Sequence, residues 1–157
     1  MSETKLVLMS LCTLGIYDLF WFYRNWTLRR DVRGRDVIPA LRAFFCHVAS
    51  VTLFEEVEDE AAKVGVRPGW SAAWLGATYF ASWATSLLPG AFWLLAIVMG
   101  PVVLVPVQRT INRANERTQR PAWVNDGFSI ANVVTIVLGG MLLLLAVIGT
   151  IFFPEGG

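Results

Sequence analysis

SAAWLGATYFASWATSLLPGAFWLLAIVMGPVVLVPV, residues 71–107, is the stretch on which the fold turns. It holds no charged residue, and its one turn signal, Pro89-Gly90, splits it into two apolar runs, 71–88 and 91–107. A helix needs about 20 mostly apolar residues to cross a bilayer, with about 17 to 25 tolerated. The stretch therefore reads as a tight hairpin of two membrane helices, the second interrupted by Pro101 and Pro106.

Working outward, two more segments have the length and apolarity of spans. Residues 6–23 are apolar apart from Asp18 and a few small polar side chains, and residues 128–153 form the longest run. Lys5 ahead of LVLMSLCTLG suggests a secretory signal, but Leu11 is too large for a cleavage position and no A-x-A pattern follows. The segment reads as an uncleaved first helix. A fifth candidate, IPALRAFFCHVASVTLF from Ile38, is short and carries Arg42 and His47. An Arg at mid-membrane costs roughly 2.5–3.5 kcal/mol even on a lenient insertion scale. Together with the acidic run that follows, residues 38–66 read as a cytoplasmic helical region, lying in the interface or docked on the bundle.

Composition points the same way. Of 157 residues, 55% are hydrophobic and 16% charged, whereas a soluble domain is nearer half apolar and a quarter charged. That argues against a soluble enzyme, a disordered chain and a disulfide-stapled domain. Thirteen Lys and Arg against twelve Asp and Glu leave +1, which gives no hint of nucleic acid. Cys12 and Cys46 are too few for a disulfide framework and read as small hydrophobes.

Charge placement sets an expected orientation. Residues 24–69 hold eight of the thirteen basic residues and 108–127 hold four. With four spans these loops share one side, and the positive-inside rule makes that side cytoplasmic. Both termini and the Pro89-Gly90 turn then face outward. One alternative stays open: a kink at Gly15 that turns the first segment back and leaves the N-terminus inside. Trp21, Trp26, Trp70, Trp74 and Trp123 would line the inner interface, and Trp93, Phe152 and Phe153 the outer one.

Several residues stand out as candidates. Ala73, Ala77, Ala81 and Thr85 recur every four residues, a spacing that lets lipid-embedded helices approach closely, within the chain or with a partner. Gly139-Gly140 invites the same reading. Asp18 is the one carboxylate inside a span and hence a candidate intramembrane polar site. It could instead reach Arg24 or water, and a proton relay would need more titratable groups at its depth, of which the sequence offers His47. RNWTLRRDVRGR carries Arg24, Arg29, Arg30, Arg33 and Arg35 beside an aromatic end, suited to anionic headgroups. Glu55, Glu56, Glu58, Asp59 and Glu60 form the wet face of a helix whose apolar stripe is Phe54, Val57, Ala61 and Val64. Arg109, Asn112, Arg113 and Glu116 share a face that could bind phosphate or a partner, or cap the bundle by pairing with that acidic helix. There is one His and no GxSxG, Walker, HExxH or CxxC motif, so no catalytic, cofactor or metal residue is assigned and no cofactor is expected.

TLGIYDLFWFYRNW, residues 13–26, resembles the signature of an uncharacterised family of small bacterial inner-membrane proteins. ALRAFF from Ala40, LFEEVEDEAAKVGV from Leu53, VQRTINRAN from Val107 and VLGGMLLLLAVIG from Val137 are similar to later stretches of that family. The resemblance implies a helical membrane protein with a cytoplasmic amphipathic segment, and no activity comes with it. The expected protein is thus an all-α integral protein of the bacterial inner membrane with four transmembrane helices. Its expected role is structural or accessory, binding lipid, another membrane protein or itself. The alternative is a small oligomeric channel or transporter lined by Asp18 and the interrupted third span.

Overall fold

The computed structural model describes residues 1–118 and 127–152, without the side chain of Arg33. Trp123, Arg120 and Phe153 therefore lie outside the described residues. Within them every regular element is a helix: α1 (Glu3–Cys12), α2 (Ile16–Arg33), α3 (Pro39–Phe44), α4 (Cys46–Lys63), α5 (Ala72–Thr85), α6 (Phe92–Arg117) and α7 (Ile130–Phe152). Two of them, α6 and α7, are long and apolar enough to cross a membrane, where the sequence reading expects four.

The first expected span fails because it is not one helix. Leu14 and Gly15 both adopt positive φ, 54° and 85°, which ends α1. The Gly15 N–H bonds the Ser10 carbonyl at 2.9 Å and the Leu14 N–H bonds Leu11, so the orphan carbonyls of the last turn are satisfied. Thr13 accepts from the Tyr17 N–H at 2.9 Å through Oγ1 and so caps the start of α2, which Gly15 has no side chain to do. The TLGIY stretch is therefore a helix-reversal device.

The reversal puts the N-terminus at the Arg109 end of the bundle, the chain path of the open alternative in which the first segment turns back at Gly15. The Met1 carbonyl accepts from Asn112 Nδ2 at 3.1 Å, and Glu3 pairs with Arg109 at 2.6 Å. Ser10 and Asp18 sit beside Gly100, nine residues or about 13 Å up α6 from Arg109. Helix α1 thus climbs along α6 from the basic end, and α2 descends to Arg29.

A second reversal follows. Helix α3 packs back along α2, with the Arg42 guanidinium 4.4 Å over the Trp26 ring. The chain breaks at Phe45, and α4 descends again with Leu53, Phe54, Val57 and Ala61 buried. Region 38–66 is accordingly docked in the bundle. Helix α5 climbs against α4, and the turn at Pro89-Gly90 delivers α6 back down, so the hairpin read from residues 71–107 is present. Helix α5, however, has only 14 residues. Pro101 and Pro106 do not interrupt α6, which runs continuously for 26 residues. Both are screened from solvent to some degree, and flanking packing on Val103, Leu104 and Val107 holds the helix through them.

The core is aromatic. Phe22 contacts Trp21, Phe54 and Tyr79 at ring separations of 5.1, 6.1 and 5.4 Å, spacings at which aromatic pairs add to simple burial. Trp21 and Trp26 are 2% and 0% exposed, so they are core residues and not interface anchors; the side of α2 that carries them faces α3 and α6. Trp74, 77% exposed, and Phe152, 70% exposed, are the described members of the set that stand outside. Helix α7 buries no residue at all. It touches α1 through Gly139, where any side chain would collide with the Cys12 carbonyl.

Candidate functional site

Where the two reversals meet the α5–α6 hairpin, polar side chains gather inside an apolar bundle. Asp18 is the third residue of α2, its amide tied to the Gly15 carbonyl at 3.0 Å. Its carboxylate is 5% exposed and accepts from Ser10 Oγ of α1 and, at 3.5 Å, from Tyr79 Oη of α5. Arg24 does not pair with it: Arg24 is exposed on the opposite flank of α2. Gly100 leaves the room the carboxylate occupies, since a Cβ there would lie 2.6 Å from Asp18 Oδ2.

The polar contacts continue past Tyr79. Its hydroxyl lies 3.9 Å from Cys46 Sγ at the start of α4, and that sulfur lies 3.6 Å from His47 Nδ1. The His47 ring stacks on Tyr79 at 5.0 Å and on Trp83 at 5.2 Å. The break at Phe45 matters here, because it starts a new helix at the level of Asp18 and so brings Cys46 and His47 to it. Among the described residues no cation pairs with Asp18, and no three His, Cys, Asp or Glu side chains converge as a metal site.

The arginine candidates divide. Arg29 is 4% exposed, with Nε 3.1 Å from Glu56 and a terminal nitrogen 3.3 Å from Glu60. The Nε contact is an ion pair by distance, although it is not aligned as a hydrogen bond. Burial pushes the Arg29 guanidinium down to about 10, against the opposing pull of Glu56. Arg35 reaches Glu56 from outside at 3.6 Å. Arg29 is thus a structural tie between α2 and α4 and is withdrawn from any headgroup. Arg24, Arg30, Arg35, Arg109 and Arg113 remain exposed. The Arg109 face does not pair with the acidic helix, as one sequence reading had it. Arg109 forks onto Glu3 at 3.0 and 2.6 Å and holds that carboxyl below its usual range.

Ala73, Ala77 and Ala81 point out of the bundle and Thr85 is half-buried; α5 packs instead through Ala72, Gly76, Tyr79 and Ser82. At Gly76 a side chain would strike Val51 of α4. Ser10, Tyr79 and Cys46 escaped sequence reasoning. Their only signal was isolation, a hydroxyl, a phenol and a thiol in otherwise apolar runs, which reads equally as packing. No protein-family model matches the chain, and no curated protein or solved structure is significantly similar to it.

Proposed function

We propose that this chain is an integral protein of the bacterial inner membrane with an accessory role, its basic end seated on anionic headgroups and its apolar flank open to membrane partners. The observation that carries the reading is α7: a 23-residue helix with an 18-residue stretch of mean hydropathy 2.6, and no residue of it buried. Val133, Val134, Val137, Leu138, Met141 and Leu142 on this helix are each about half exposed or more, continuous with Leu144, Leu145 and Ile148. A face this large and apolar is not sustained against water. Lipid covers it at no cost, because acyl chains are as apolar as leucine.

The opposite property marks one end. Met1, Glu3, Lys5, Arg109 and the chain just before α7 lie together there, so the N-terminus joins the basic loops in the positive-inside arrangement. Arg24, Arg30, Arg35 and Arg113 offer exposed guanidinium groups, each worth about 1 kcal/mol near an anionic surface. Phe152, at the far end of α7, then lies on the periplasmic side. An intersubunit channel finds less support, because Asp18 faces inward among helices of its own chain and not a surface that copies would share.

Extraction in a gentle detergent, with bound lipid and protein quantified by mass, tests this. Anionic phospholipid should be enriched over the bulk membrane, and replacing Arg24, Arg30, Arg35 and Arg113 by Gln should remove the enrichment. A protein that partitions into the aqueous phase without detergent would overturn the reading.

A further inference from the structure

We propose that Asp18 is a proton-binding site within the membrane, loaded and unloaded through Tyr79, Cys46 and His47 from the end opposite the basic loops. The inference rests on the membrane-embedded reading above, and three observations carry it. First, a buried carboxylate with no cation beside it is expensive to keep charged and is not placed in a bundle interior for packing alone. Second, among the described residues the polar side chains on the carboxylate, and those reached from it through Tyr79, can pass or accept a hydrogen. Tyr79 comes from α5, Cys46 and His47 from α4, and the Ser10 hydroxyl from α1; α6 brings Gly100 against the carboxylate, and α7 carries no charged residue. Third, the contacts form one unbranched line whose outer member is half-buried. His47 sits between Tyr79 and Trp83, and Trp83 is one turn nearer Pro89-Gly90.

The proton count closes. With the imidazole hydrogen on Nδ1, a proton taken up at His47 Nε2 releases the Nδ1 proton to Cys46 Sγ. The thiol proton passes to Tyr79 Oη, and the phenol proton passes to Asp18 Oδ2. Each relay group gains one proton and loses one, and the carboxylate becomes a carboxylic acid. The steps of 3.6, 3.9 and 3.5 Å are longer than ideal hydrogen bonds, so transfer requires small side-chain excursions.

Infrared spectroscopy of the full chain, reconstituted in oriented bilayers, reads each part separately. A protonated-carboxyl band that Asp18→Asn abolishes should appear and vanish as bulk pH is stepped between about 5 and 9, the range around a carboxyl in an unusual setting. Tyr79→Phe, which keeps Asp18 and removes one donor, should shift that band, so the assignment survives even if D18N does not fold. Cys46→Ala should slow the response to a pH jump by about tenfold or more, and Cys46→Ser should restore it. A band indifferent to pH would overturn the site, and an unslowed response in C46A would overturn the route. Helix dichroism in the same films reports insertion: unoriented helices would remove the membrane reading itself, whatever Asp18 does.

Discussion

Leu14 occupies a backbone region that costs an L-residue about 1–2 kcal/mol, yet it sits there because Gly15 alone cannot turn the chain from α1 into α2. Leu14→Gly should therefore raise stability in detergent by about 1 kcal/mol, the relieved strain being partly offset by a freer unfolded chain. A drop in melting temperature would show that the 41%-exposed Leu14 side chain earns more from its surroundings than the strain costs. Arg29 works in the other sense. Arg29→Ala removes the buried guanidinium that ties α2 to Glu56 and Glu60 of α4 and should destabilise by about 3 kcal/mol. Because burial lowers its folded pKa from the ordinary arginine value to about 10, Arg29 is charged in both states at neutral pH, and its effect on stability changes only at higher pH. The urea midpoint of the wild type minus that of R29A should thus be flat from neutrality down to the carboxylate range. None of this was legible in the sequence, where Arg29 is one of five arginines with the same apparent claim on lipid.

Elements met more of what their sequences imply. The Pro89-Gly90 hairpin and the stripe of Phe54, Val57 and Ala61 follow from local turn chemistry and periodicity, which need no knowledge of partners. Which face of α5 packs did not follow, because Ala73–Ala77–Ala81 and Ala72–Gly76 are both small-residue rows; Val51 selects the second. The α1–α7 contact depends on Gly139 in the same way. Gly139→Ala should push α7 off the Cys12 carbonyl and cost about 1–3 kcal/mol, seen as a lower melting temperature. The α1–α6 contact at the basic end should respond to acid instead. The Glu3 carboxyl is held low by its hydrogen bond from Arg109, so the stabilisation is present above the ordinary carboxylate range. It is lost as pH falls through the folded value, and amide exchange in the first turn of α1 should speed up there in wild type but not in E3Q.

For the whole molecule, the two reversals put Met1 and Arg109 at one end and Pro89-Gly90 at the other. Single cysteines in place of Ser2 and Arg113 should react with an impermeant maleimide from one side of sealed vesicles, and one replacing Leu88 from the other, in a background lacking Cys12 and Cys46. Labelling of S2C and L88C from the same face would refute the arrangement. Composition and run length alone determined that the chain is helical and that α6 and α7 can cross a membrane, because hydropathy and helix length are local sums. Only the tertiary structure decided that residues 6–23 turn back at Gly15, that Trp21, Trp26 and Arg29 are interior, and that Asp18 meets Ser10 and Tyr79 and, through Tyr79, Cys46 and His47. The reason is physical: a lipid-facing surface and a packed core are written in the same apolar residues, and contacts between helices distant in sequence tell the two apart.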